Sequence, residues 1–67
     1  MITDKEIKTF LKQNGTKLKK LRRKLQLTQK NLQTKTGLSQ NIISNMENGC
    51  SEYTIISYYK YMKGLKT

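Results

Sequence analysis

Residues 28–49 read TQKNLQTKTGLSQNIISNMENG, and their order decides the fold. Thr28 is a good N-cap, since a Thr hydroxyl can accept a hydrogen bond from a free amide of the first helical turn. Leu32 follows on the helical face behind it. The run then stops at Gly37, a residue that adopts positive φ without steric cost. Ser39 restarts a helix as its N-cap, and Ile43 and Met46 recur at helical spacing. Asn48-Gly49 closes this second helix. Two short helices joined by a tight glycine turn have helix-turn-helix spacing. Leu32, Leu38, Ile43 and Met46 supply the interior that fixes the angle between them, which leaves Gln40, Asn41, Ser44 and Asn45 on the outer face of the second helix.

Working outward, Thr3-Asp4-Lys5-Glu6 has the form of a capping box. Ile7, Phe10 and Leu11 share one face of the helix it opens and are expected to cover the small core, with a partner-binding role as the alternative. Asn14-Gly15 is expected to end that helix, giving an extra N-terminal helix at about 3–14. Thr16 then caps a second helix whose apolar stripe is Leu18, Leu21 and Leu25, and Leu27-Thr28-Gln29 leads into the helix-turn-helix at about 28–48. Beyond Gly49, Ser51 or Thr54 caps a C-terminal helix at about 52–64, with an apolar face drawn from Ile55, Tyr58, Tyr59, Met62 and Leu65. Tyr58 is the tyrosine favoured for core and rim packing. Proline is absent and no segment alternates apolar with polar. The expected fold is all-α: one domain over residues 1–67, a compact bundle of five short helices containing a helix-turn-helix.

Composition narrows the function. The 67 residues are 34% hydrophobic, and a chain of this size builds only a marginal core. There is no His, and the single Cys is Cys50, so a nitrogen–sulfur zinc site and an intrachain disulfide are both excluded. With no His and four carboxylates in all, the inventory for acid–base catalysis is poor. The expectation is a non-enzyme with no catalytic residues, cofactor or metal. Net charge is +10, and the charge is segregated. No acidic residue lies between Ile7 and Met46, a span holding Lys8, Lys12, Lys17, Lys19, Lys20, Arg22, Arg23, Lys24, Lys30 and Lys35. Such a block favours a polyanion partner. No apolar run approaches the roughly 18 residues of a membrane span. The opening MITDKEIKTF is charged and helical in pattern, unlike a secretory signal. A cytoplasmic protein with no membrane partner is expected.

The ordered set Leu18, Leu21, Leu27-Thr28-Gln29, Leu32, Gly37-Leu38-Ser39, Ile43-Ser44 and Glu47-Asn48-Gly49 resembles the Cro/repressor-type helix-turn-helix family, the lambda-repressor-like (XRE) DNA-binding domains, from about Lys17 to Leu65. The resemblance implies that the helix from Ser39 to Glu47 enters the major groove of double-stranded DNA, with Gln40, Asn41, Ser44 and Asn45 near base edges. It implies backbone contacts from Thr28, Gln29 and Ser39, with Lys17, Arg22, Arg23, Lys30 and Lys35 as further candidates. The implied function is a sequence-specific transcriptional regulator, a Cro-like repressor of phage, plasmid or bacterial origin, engaging its operator as a homodimer. The alternative is a modulator of the same fold that binds a partner repressor protein. Three residues depart from the family pattern. Gln33 stands where a small Ala is usual, and Thr36 replaces a larger apolar residue. Ile42 occupies a position that is often polar, which suits a thymine methyl or a protein surface.

Overall fold

A computed structural model describes residues 1–50 and 53–66 of the chain. Four helices follow one another: α1 Asp4–Lys24, α2 Gln29–Thr36, α3 Gln40–Asn48 and α4 Ile55–Lys66. No strand occurs among the described residues. The class is all-α as expected, but the count of five helices is wrong, because the helix expected to stop at Asn14-Gly15 continues for ten residues to Lys24.

The physical reason lies in what packs against Gly15. A Cβ built there would come within 2.5 Å of the Met46 carbonyl oxygen and 2.6 Å of that of Glu47. Gly15 is therefore a point of close helix approach, where α1 accepts the carboxyl end of α3 against its bare backbone. Helical geometry is retained because nothing at this position asks for positive φ. Thr16 is correspondingly not a cap; its hydroxyl donates to the Lys12 carbonyl one turn earlier, at 2.9 Å. Gly49 makes the reciprocal approach. It sits at φ 65° as the C-cap of α3, and a Cβ there would lie 2.7 Å from the Cα of Lys12.

The other ends follow the local chemistry. Thr3 caps α1, accepting from the Glu6 N–H at 3.2 Å. Thr28 and Asn31 form a reciprocal box at the start of α2, each side chain accepting the other's backbone N–H at 3.0 Å. Gly37 closes α2 in the left-handed conformation at φ 77°. Ser39 caps α3 through the Ile42 N–H at 3.3 Å. For α4, Thr54 accepts from the Ser57 N–H at 3.1 Å; Ser51, the other expected cap, and the expected start near 52 lie outside the described residues.

Leu18, Leu32, Leu38, Ile43, Met46 and Tyr61 form the buried core, with Tyr53, Tyr58, Met62 and Leu65 packed around it. The core is smaller than the apolar stripes suggest. Ile7 and Phe10, expected to cover the core, are exposed, Phe10 to 64%; Leu21 and Leu25, from the separate stripe after Thr16, are exposed at the other end of α1. A helix of 21 residues is about 32 Å long, whereas α3 spans about 14 Å. The first turns of α1 thus outrun α3, which leaves Ile7 and Phe10 uncovered, and the molecule extends 38 × 21 × 17 Å. Two departures from the family pattern are also resolved. Gln33 tilts half out of the interior. Thr36 is small enough for α4 to approach it at Gly64, and its hydroxyl bridges the turn, donating to Leu32 O at 2.6 Å and accepting from Leu38 N at 3.1 Å.

Two stability predictions follow from the backbone. A mid-helix Gly usually gains about 0.5–1 kcal/mol on replacement by Ala. Here the clash is with fixed carbonyls, and overpacking of that kind costs about 1–3 kcal/mol. Gly15→Ala should therefore destabilise the fold in chemical denaturation. Gln26, in the turn after α1, is the one non-glycine residue described with positive φ, at 60°. Gln26→Gly should stabilise by about 0.5–1 kcal/mol, because glycine favours that conformation at a helix end.

Candidate nucleic-acid interface

The outer face of α3 is held from behind. Ile43 and Met46 are fully buried, and Glu47 joins them on the inner face. Gln40, Asn41, Ile42 and Asn45 are left exposed, with Ser44 half-buried at the edge. Ser44 accepts a hydrogen bond from the Asn48 amide at 3.2 Å, which orients it along the helix. The first-turn pair Gln40 and Asn41 has no such restraint and projects from the end that Ser39 caps. Ile42 is 38% exposed and adds an apolar contact to this otherwise polar surface.

Glu47 is the anchor of the inner face. Its Oε2 accepts from Arg22 Nε at 2.7 Å and from the Tyr61 hydroxyl at 2.6 Å. Its Oε1 accepts from Arg22 Nη2 at 3.1 Å and from Gln29 Nε2 at 3.2 Å. The Arg22 Nη1 donates to the Leu27 carbonyl at 2.7 Å, fixing the turn that leads into α2. The one proton of the Tyr61 hydroxyl favours the nearer, charged acceptor; Leu18 O, at 3.2 Å, is the weaker second. α1, α2, α3 and α4 thus meet at a single carboxylate.

This geometry changes the expected roles. Arg22 is only 7% exposed and its guanidinium is committed inside the fold, so it does not offer a free charge to a phosphate. Its neighbour Arg23 is exposed, as are Lys17, Lys30 and Lys35. Gln29 is half-buried and braces Glu47. Thr28 and Ser39 are exposed at the amino ends of α2 and α3. The importance of Tyr61 was not read from the sequence. Tyr58 packs half-buried at the rim of the core and stacks on Tyr53, with ring centroids 6.2 Å apart, and the Tyr53 hydroxyl is hydrogen-bonded to Asn14 on α1. A signal for Glu47 did exist: it shares the helical face of Ile43 and Met46, one turn on, in an otherwise acid-free stretch.

The network has a direction with pH. Burial pushes the Glu47 carboxyl up, but hydrogen bonds from Arg22, Tyr61 and Gln29, with the Arg22 charge, outweigh it and hold the group below the usual carboxylate range. The Arg22 guanidinium is raised by its hydrogen bond to Glu47, against the effect of burial. The Tyr61 phenol is raised, first by burial and then by the Glu47 carboxylate beside it. A depressed carboxylate stabilises the fold above its unfolded pKa, about 4.3, and that stability is lost as pH falls through the folded value. A raised phenol stabilises below its unfolded pKa, about 10, and the contribution is lost as pH rises beyond it. Thermal unfolding against pH should therefore show losses below about 4 and above about 10. Tyr61→Phe should flatten the alkaline limb. Glu47→Gln leaves Arg22 buried without its counter-charge and should cost about 3–5 kcal/mol. A domain of this size has about 3–10 kcal/mol in total, so the variant should be largely unfolded at room temperature by circular dichroism.

With the paired helices, the capped glycine turn and the inner anchor in place, the comparison with known families is direct. The family model of the helix-turn-helix domain matches residues 15–63. The chain belongs to that helix-turn-helix family, a class of DNA-binding folds. No curated protein and no solved structure matches the chain. Among the described residues, no helix is long and apolar enough to cross a membrane.

Proposed function

We propose that this chain is a sequence-specific DNA-binding regulator of transcription, acting as a Cro-like repressor that occupies an operator. The observation that carries the proposal is the first turn of α3, where Gln40 and Asn41 stand exposed on a helix whose opposite face is locked by Ile43, Met46 and Glu47. Gln and Asn side chains can each pair with adenine N6 and N7, contributing about 1–3 kcal/mol of discrimination. Asn45, one turn further on, extends the same surface. Ser44 is turned toward Asn48 and is the weaker candidate for a base contact. Ile42 is suited to a thymine methyl.

Phosphates are assigned to the helix starts and the exposed bases. Thr28, Gln29 and Ser39 lie where free backbone amides favour an anion, and Lys17, Arg23, Lys30 and Lys35 supply charge. Arg22 is left out of this set because Glu47 and Leu27 already hold it. One module covers about 600–1,000 Å², so a homodimer on a two-fold operator would double the readout. Exposed Ile55, Ile56 and Tyr59 on α4 are apolar surface in keeping with a second copy. A cytoplasmic site of action, without catalysis, metal or cofactor, belongs to the same proposal. The competing assignment is a modulator that binds a partner repressor. Exposed Ile42 and Phe10 favour it, and it would show as repressor capture with no shift of duplex DNA.

The test is footprinting on DNA flanking the gene, followed by affinity measurement on the protected site and on random duplex. Gln40→Ala and Asn41→Ala should each weaken binding to the protected site by roughly 5- to 150-fold, equivalent to about 1–3 kcal/mol, and leave random duplex nearly unchanged. Equal losses on both would exclude base reading by α3.

A further inference from the structure

The helix that outruns the core carries an ordered set of charges. Lys5, Lys8, Lys12, Lys19 and Arg23 lie at successive spacings of three, four, seven and four residues. On an α-helix those spacings stay within about 60° of arc, so the five form one ridge along α1. Lys5, Lys8, Lys12 and Arg23 are exposed and Lys19 is half-buried. No ion-pair partner for any of the five occurs among the described residues. Exposed Phe10 and the apolar Ile7 lie away from the ridge, on another side of the helix. The first three lysines precede the span matched by the helix-turn-helix family.

The ridge runs directly past the carboxyl end of α3. The Lys12 backbone is the surface that Gly49 approaches, and Lys5, Lys8, Thr9 and Lys12 form a shallow groove with Gly49 and Cys50. Lys12 and Lys19 could be explained as complements to the negative end of the α3 dipole. Lys5 and Lys8 line the groove at that same end, so the α3 dipole favours them too, but their place on α1 does not. Both sit near the amino end of α1, where a cation opposes the helix dipole, and like charges one turn apart repel. The arrangement works against the isolated helix. A partner with regularly spaced negative charge reverses that penalty.

We propose that the α1 ridge is a second phosphate-binding surface, carrying the backbone of the same duplex beyond the segment that α3 reads. It rests on the DNA-binding reading above. Lys5, Lys8 and Lys12 are separated by about 4.5 and 6 Å along the axis, a spacing that lets each reach a different phosphate of one strand. The contact is independent of sequence, because phosphates carry no base identity. It extends the footprint to one side of the α3 site.

The probe is a duplex of about 30 base pairs of arbitrary sequence, titrated between roughly 50 and 200 mM salt with the full chain. Each phosphate contact contributes about 0.9 to the log–log salt slope. The triple variant Lys5→Gln, Lys8→Gln, Lys12→Gln should reduce the slope by about 2.7, so that the wild type loses about 40-fold more affinity than the variant over that range. A control triple of equal charge, Lys20→Gln, Lys24→Gln, Lys60→Gln, should change it by less than one contact. Gln preserves helix propensity at all six positions, and unfolding curves verify that both triples fold. Equal reductions in the two triples would overturn the proposal in favour of net charge alone. An unchanged slope in the ridge triple would overturn it while leaving the α3 reading intact, as would loss of binding confined to phosphatidylserine vesicles. A wild type with no affinity for any duplex would overturn both.

Discussion

The Glu47 carboxylate is the constraint on which the rest of the molecule depends. Placing a carboxylate and a guanidinium inside a small protein costs several kcal/mol per ion, and a core of six buried apolar side chains has little to spare against it. The cost is offset by geometry. Arg22 approaches through two nitrogens, Tyr61 and Gln29 take the remaining directions, and no buried side-chain nitrogen or oxygen among the described residues lacks a partner. A leucine at the same place could fill the volume. It could not require one residue from each of the other three helices to be in position at once, because apolar contact is non-directional. The carboxylate thereby sets the register of α3 against α1, α2 and α4 together.

The same arrangement separates two jobs that the basic composition blurs. Arg22 and Arg23 are adjacent in sequence and differ by about 100° around α1. One is held in the interior by Glu47, and the other faces solvent. The buried pair is neutral as a unit, so the net charge of +10 is carried by the other side chains, with Arg23 and not Arg22 among those a polyanion can meet. Gln29 is divided in a similar way: its amide nitrogen serves the anchor, while its position at the start of α2 leaves backbone donors near the surface.

The helix-turn-helix was legible in the sequence because its signals are local. Thr28, Gly37, Ser39 and Gly49 each do at their own position what their chemistry allows, through a capping oxygen or a tolerated positive φ. Gly15 was misread because glycine carries two meanings that local sequence cannot separate. It can end a helix by adopting positive φ, or it can admit a neighbouring backbone by lacking a side chain. Which applies depends on the Met46 and Glu47 carbonyls, more than thirty residues away. The face of Ile7 and Phe10 misled for a related reason. Periodicity reports which side of a helix is apolar, and burial further requires an element long enough to cover it. Tyr61 and Arg22 were hidden because a buried polar network is a tertiary property, visible only as a lone acid on an apolar face.

The glycine pair has a consequence for how firmly α3 is held. Most helix contacts are mediated by side chains, which change rotamer and let axes shift by an ångström at small cost. At Gly15 and Gly49 the spacer is absent on the two sides of the contact: backbone of α1 meets the carbonyls of α3, and the cap of α3 meets the backbone of α1. Helix-interior glycine is less favourable than alanine by roughly 0.5–1 kcal/mol, so α1 accepts that loss at its middle. In return the carboxyl end of α3 rests on a surface that has no rotamers to change. The Glu47 network then fixes rotation about the α3 axis, and the two glycines fix its distance from α1. Together they leave the outward side chains of α3 on a platform that does not yield, as directional contact with another molecule requires.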